Sequence, residues 1–368
     1  MLWNWQLPDW PHFKFDTQGI APQERQFLLQ IGSGSAFLTQ VQREDYNQFL
    51  VEILTSEGIE SSKIEGEILD RQSLQSSIKR HFGLYTHTHQ ASDKEAHMAA
   101  LLCHVYDTFQ QPLSHAMLWE WHASLFDKFT SIEVGHYRTH QEPMQIVSHR
   151  YDDPKIFFEA PPSAQIYAEM DQFIIWFNSS KPFECILARA AVTHVYFESI
   201  HPFEDGNGRI GRALVEKFLS QALGRPILIA ISKVFERRKK EYYAALERCN
   251  RSLEIDAWLI FFADVVLEAQ NDSMILLKFL IEKSKMITRL TGQLNPRQEK
   301  VLLRMFAEGP SGFKGGLSAD NYIAITKTSR ATATRDLSDL VQKEALTKTG
   351  ELRHTRYWLH LPKELKNL

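Results

Sequence analysis

A chain of 368 residues exceeds one typical domain and has room for a large core with smaller additions, so two or three domains are expected. Lys+Arg 42 against Asp+Glu 45 leaves a formal net charge of -3, so no global positive field advertises nucleic acid and any basic function has to be local. The three cysteines, Cys103, Cys185 and Cys249, lie far apart without a CxxC pair, which argues against zinc and disulfides and fits a reducing cytoplasm.

The opening MLWNWQLPDWPHF has early Pro and Asp and no long apolar run, so it reads as neither signal peptide nor membrane anchor. Trp3, Trp5 and Trp10 make it an extended arm whose indoles pack on the body. From Gln23 to Phe82 apolar residues such as Phe49, Ile53 and Leu54 recur at helical spacing, punctuated by Gly58 and Gly83. Helices are expected again from Ser92 to about Leu290, with one break. In that break Met144, Ile146, Val147, Tyr151, Ile156 and Phe157 are strand-like and Asp152, Asp153 and Pro154 supply a turn, the pattern of a β-hairpin. His87, His89, His97 and His104 match no metal-ligand spacing and read as solvated or core histidines.

The chemistry concentrates in HPFEDGNGRIGR, His201 to Arg212, a loop between two buried helices. The first helix is CILARAAVTHVYFESI. The second runs through Ile210, Ala213, Leu214 and Phe218 to a stop at Gly224 with Pro226 beyond. Gly206 and Gly208 carry no Cβ, so backbone N–H groups entering the second helix can converge on an anion with the helix dipole behind them. Arg209 and Arg212, i and i+3 on one face, can grip separate phosphate oxygens. Asp205 offers a hard oxygen suited to Mg²⁺, and His201 a ring nitrogen of near-neutral pKa. The constellation suits nucleotidyl or phosphoryl transfer; no Walker A sequence is present.

HxxFExIHPFxDGNGRxxR, His194 to Arg212, resembles the signature of the Fic family, and flanking similarity extends over roughly 45–263. The resemblance implies a mainly α fold, a Fic-type helical bundle with a small β-hairpin flap. It also implies a protein adenylyltransferase that moves AMP from Mg-ATP to a Ser, Thr or Tyr hydroxyl of a target protein or of itself. His201 would be the base and Asp205 the Mg²⁺ ligand. Gly206, Asn207, Gly208, Arg209, Gly211 and Arg212 would hold the ATP phosphates, and an intact Gly208 favours AMP transfer over kinase chemistry. Met144 to Ser148 would form the flap that pairs with a target strand, unless the segment is a plain edge hairpin. Tyr243 would stack on adenine with Asn250 seven residues on, the alternative being that Tyr242 and Tyr243 are core aromatics. In SSKIEGE, Ser61, Glu65 and Gly66 fit the family's autoinhibitory [S/T]xxxE[G/N], with Glu65 set against Arg212 and a possible second role in removing AMP. A homodimer is plausible by the same resemblance.

Beyond Leu290, Pro296 starts a helix that Gly309 ends. Two short helices follow, the second capped by Ser329 with Leu337 and Leu340 inward, then two strands around Thr349, Gly350 and Glu351. This segment resembles a winged helix-turn-helix. Either it binds DNA, with Arg330, Thr332, Thr334 and Arg335 in the groove and Arg353 and Arg356 near the wing, or it serves dimerisation or target docking. The expected domains are therefore 1–90, the arm and helical extension; 91–290, the core with its flap at 135–160; and 291–368.

Overall fold

A computed structural model of the chain describes residues 2–38, 41–84, 92–127, 132–147, 155–179, 185–310 and 312–365. It is mainly helical. In chain order the helices are α1 (Ala21–Leu38), α2 (Arg43–Ile64), α3 (Arg71–His81), α4 (Asp93–Thr108) and α5 (His115–Ser124). Strands β1 (Gln145–Val147) and β2 (Ile156–Glu159) come next, then α6 (Ser163–Phe177), α7 (Ile186–Ile200), α8 (Asn207–Leu223), α9 (Ile231–Arg237), α10 (Lys239–Cys249) and α11 (Asp256–Leu290). The chain closes with α12 (Pro296–Ala307), α13 (Ala319–Thr326), α14 (Arg330–Gln342), β3 (Leu346–Thr349) and β4 (Arg356–Leu359). No helix among the described residues is long and apolar enough to cross a membrane.

Two units are present, one of residues 1–36 and 50–271, the other of 37–49 and 272–368. Residues 1–36 of the N-terminal extension share the first unit with α4 to α10.

In the first unit α7 and α8 pack on each other. Helix α7 is apolar on most of its sides, whereas α8 is buried although it carries Arg209, Arg212, Glu216 and Lys217 inside. Leu187, Ala191, Val195 and Phe197 on α7, and Ile210, Leu214, Val215 and Leu219 on α8, are buried. Helices α4 and α5 cover α8, and α6 covers α7. Gly224 ends α8 at φ 67, the left-handed C-cap that its position in the sequence suggests. Gly58 does not break its helix. It lies inside α2, where a Cβ would come within 2.8 Å of Leu102 Cδ1 and 2.9 Å of Leu74 Cδ2, so glycine serves close helix packing there.

The hairpin is the expected one, with Gln145 opposite Glu159 and Ile146 opposite Phe158. Its tip, including Ser148, Asp152, Asp153 and Pro154, lies outside the described residues.

In the second unit Ser329 caps α14 by accepting from Thr332 N, and Leu337 and Leu340 are buried. Strands β3 and β4 pair antiparallel around a 3-10 turn at Leu352–His354, and Leu317 bridges to Tyr357. Asp336 ties these helices together. It accepts from Arg297 Nε at 2.8 Å, Tyr322 Oη at 2.9 Å and Asn295 Nδ2 at 3.1 Å. Burial pushes its carboxyl up, but these donors outweigh it and hold it below its ordinary value. Asp336→Ala strands the buried Tyr322 hydroxyl and should destabilise this unit by about 1–3 kcal/mol in urea unfolding. An unchanged midpoint would remove Asp336 from that role.

Candidate active site

The loop between α7 and α8 is built backwards from its ends. His201 closes α7 in the left-handed region at φ 50, a strained conformation for a non-glycine residue. Its N–H bonds to Phe197 O at 3.0 Å, and its carbonyl accepts from Arg138 Nε at 2.9 Å. Arg138 is itself buried and also donates to Ser163 Oγ and Pro161 O. Asn207 braces the same loop: its Nδ2 donates to Phe203 O at 2.8 Å and its Oδ1 accepts from Phe203 N at 3.0 Å. Both ends of that amide are thus engaged in bracing the loop. His122 supports the far side. Its Nδ1 accepts from Gly135 N at 3.0 Å, which makes Nε2 the donor to Asp205 O at 3.1 Å, and the ring stacks on Phe203.

Gly206 turns into α8 at φ 81, and no side chain caps the helix. The amides of its first turn therefore lack both intrahelical and side-chain partners, the condition for an anion cradle. Two buried guanidiniums stand beside it. Arg209 Nη1 lies 3.1 Å from Glu67 Oε2 and its Nη2 3.6 Å from Asp205 Oδ2. Arg212 donates through Nε to Ser61 Oγ at 3.0 Å, and through Nη2 to Ser61 O at 2.9 Å and Glu65 Oε1 at 2.8 Å. The Arg212 side chain is 2% exposed, against 31% for Glu65. Burial disfavours the Arg212 charge, but Glu65 beside it outweighs this and raises its pKa.

Glu65 follows the last residue of α2, and Gly66 turns the chain away at φ +84. A Cβ on Gly208 would collide with Glu65 Oε1. The carboxylate therefore lies against the first turn of α8, with Ser61, Glu65, Gly208 and Arg212 brought together. Gly211 faces the other way. A Cβ there would stand 2.5 Å from Glu198 Oε1 and 3.2 Å from the His194 ring, so its side of α8 meets α7.

Three groups are tuned by burial. His201, 13% exposed, is pushed down to about 4, by desolvation first and Arg138 second, and is neutral at pH 7. His194, with Nε2 2.7 Å from Tyr242 Oη, is pushed down to about 3, again by burial first. Glu198 moves the opposite way, up to about 8, through burial and then repulsion from Glu65.

The base-pocket candidates divide. Tyr242 is buried against His194, Phe235 and Trp258, hence core. Tyr243 is half exposed and donates to Ile64 O at 3.2 Å. Asn250 is the C-cap of α10, and its side chain donates to Phe157 O at 3.1 Å, so it is committed to the hairpin.

The tryptophan arm reaches that hairpin. Trp3 meets Phe158 edge-on at 5.5 Å, in a cluster with Ala160, Trp5 and Met144, and Trp5 Nε1 donates to Glu159 O at 2.7 Å. Asn4, fully buried, bonds Ser199 Oγ at 2.7 Å and Cys249 O at 3.0 Å. Ile146, Val147 and Ile156 stay exposed on the two-stranded sheet.

A neutral histidine held beside an uncapped helix start and two guanidiniums defines a class of helical domain that can receive a polyphosphate next to a proton acceptor. Residues 112–219 match the Fic/DOC family, and the chain carries a Fic/DOC domain. Residues 3–84 match a second family described as a domain of unknown function, DUF4172. Among named relatives, a probable protein adenylyltransferase of Aquifex aeolicus is 29% identical over 105 residues, 28% of this chain and 30% of that protein. Protein adenylyltransferase Fic of Aedes aegypti is 29% identical over 127 residues, 34% of this chain and 24% of that protein. The similarity thus spans less than a third of either relative. Among solved structures, a Fic family protein from Desulfovibrio desulfuricans G20 shares the fold with a TM-score of 0.56 at 19% identity, over 95% of this chain and 98% of that one. A Fic domain containing signaling protein from Bacteroides thetaiotaomicron VPI-5482 gives 0.53 at 21%, over 71% and 96%.

Two outcomes follow from this geometry. Removing residues 2–7 should speed hydrogen exchange across 144–147 and 156–160 while α8 keeps its protection, because a two-stranded hairpin is marginal without packing. Equal exchange would mean that the arm does not hold it. Glu198→Gln should raise Tm increasingly as pH climbs from about 4.5 toward about 8. The native acid keeps its proton through that window while the unfolded one loses it, so native stability falls with rising pH, and glutamine removes the loss. A Tm difference independent of pH would contradict the raised pKa.

Proposed function

We propose that the protein is an autoinhibited protein adenylyltransferase, which transfers AMP from Mg-ATP to a hydroxyl side chain of a target protein and of itself. One observation carries the reading: the buried neutral imidazole of His201 lies across a short braced loop from the uncapped start of α8. In this reading His201 takes the acceptor's proton, the acceptor oxygen bonds to the α-phosphorus, and pyrophosphate leaves with the electron pair of the broken P–O bond. The amides of Gly206, Asn207 and Gly208 and the forks of Arg209 and Arg212 receive the phosphates. Tyr243 stacks on the base, while the exposed edge of β1, with Ile146 and Val147, takes a target strand.

Asp205 would hold the cation. Its side chain is 59% exposed, and no group of three potential metal ligands occurs among the described residues. That donor set fits Mg²⁺, which takes one or two carboxylates and fills its remaining positions with phosphate oxygens and water. The bound ion supplies charge neutralisation at the phosphates.

The Glu65–Arg212 pair supports autoinhibition. A γ-phosphate and the Glu65 carboxylate compete for one fork, and Glu65 already occupies it at 2.8 Å. The domains would be the 1–90 arm and extension carrying this latch, the 91–290 core, and a 291–368 winged helix.

Incubation with α-labelled ATP tests the proposal. Glu65→Gly should raise auto-modification by about tenfold or more, the factor for each 1.4 kcal/mol of relieved competition. Adding His201→Ala should lower it again by about 10²–10⁴-fold with ATP binding retained in calorimetry. Equal labelling by parent and Glu65→Gly at matched folding sinks the latch, and undiminished labelling in the double variant sinks the base.

A further inference from the structure

Glu198 has no part in the scheme above, yet it is the acid nearest the base. Its Oε2 lies 3.8 Å from His201 Nδ1, and that buried nitrogen, which faces the Glu198 backbone carbonyl, makes no well-formed hydrogen bond among the described residues. The imidazole therefore turns Nδ1 inward and leaves Nε2 as the nitrogen for the cleft. Glu198 Oε1 is likewise buried and unpartnered, against the Cβ-free face of Gly211. Two orphan polar atoms this close in a packed interior need an account, because burying polar groups without partners is costly.

We propose that Glu198 is a positioning residue for His201, its carboxyl lying on the buried side of the imidazole to orient the ring and stabilise the imidazolium formed when Nε2 takes the acceptor's proton. The inference rests on the transferase reading and adds a residue to it. Gly211 belongs to the same device, because any side chain there would press on the Glu198 carboxyl.

The charged groups around the pair make the arrangement conditional. Glu198 faces His194 on its own helix, Arg212 on α8, Tyr242 and Tyr243 on α10, and Glu65 beyond α2. His201 faces Arg138, Asp205 and Glu65. With Glu65 in place, burial and repulsion keep the Glu198 proton on, and a neutral acid does little for an imidazolium. In Glu65→Gly without nucleotide that repulsion is absent and the acid ionises more readily. Glu65 itself also favours the imidazolium, so the Glu198 contribution is read between variants that both lack Glu65.

The experiment compares Glu65→Gly with Glu65→Gly carrying Glu198→Gln or Glu198→Asp. NMR titration of His201 needs neither ATP nor acceptor: it should occur at higher pH in Glu65→Gly than in the Gln double variant. In auto-modification with labelled ATP, Gln should lower kcat on the order of 10–100-fold, leave KM for ATP unchanged and move the acidic limb of the pH profile down. Asp should restore part of the rate. Identical His201 titration in the two backgrounds, or an unmoved kcat and limb, overturns the assignment while leaving the transferase reading standing. Absence of labelling in every variant condemns the transferase reading instead, and the NMR comparison then decides the Glu198–His201 coupling alone.

Discussion

Burying a guanidinium next to a helix N-terminus sets the conditions for the rest of this site. Arg212 cannot lose its charge, and it sits where the dipole of α8 already makes the potential positive. An unpaired cation in that position would cost several kcal/mol, so an anion has to be supplied. The chain supplies Glu65, with the Ser61 hydroxyl and carbonyl as further acceptors, while Arg212 Nη1 has no hydrogen-bond partner among the described residues. Ligand binding at this place is therefore exchange of one anion for another.

The loop between α7 and α8 obeys a similar constraint. A left-handed histidine is strained, and it persists only where its surroundings over-determine it. Arg138 fixes the His201 carbonyl, Phe197 its amide, and the Asn207 amide clamps the turn at Phe203. Beneath the loop, the glycine face of α8 at Gly211 lets α7 come close enough to bury His194 and Glu198. These side chains contact no substrate in the proposed scheme, yet each limits where the imidazole can point.

Much of this was legible in the residues because it depends on local pattern. Apolar residues recurring at helical spacing through α7 and α8 required buried helices, and the helix stops at Gly224 and Gly309 and the cap at Ser329 obeyed simple backbone rules. The pairing of Ser61 and Glu65 with Arg212 followed from a short motif resemblance. What stayed hidden depends on distant partners. Nothing in GHYR signals that Arg138 will clamp a carbonyl 63 residues on, and nothing in FESI says that Glu198 will be buried. Gly58 looked like a stop because its neighbours in space, Leu74 and Leu102, come from other helices. Asn250 matched a pocket position by spacing, whereas the hairpin carbonyl of Phe157 claims its amide.

The N-terminal segment, matched only to a domain of unknown function, acquires physical content from the same contacts. Its tryptophans pack on β2, and Asn4 joins the end of α7 to the end of α10. Its other end carries Ser61, Glu65 and Glu67. Glu67 takes Arg209 while Glu65 takes Arg212, so both guanidiniums assigned to phosphates are already held by carboxylates from one short stretch. Lys239 and Tyr243 bind the Ile64 carbonyl just before it, which ties the stretch to the helix proposed to stack the base. In the proposed reading a triphosphate must displace two carboxylates, so loss of Glu65 alone leaves Arg209 engaged. In that reading the segment acts on both substrates: at the cradle it opposes the nucleotide, and at the hairpin it shapes the surface offered to the target.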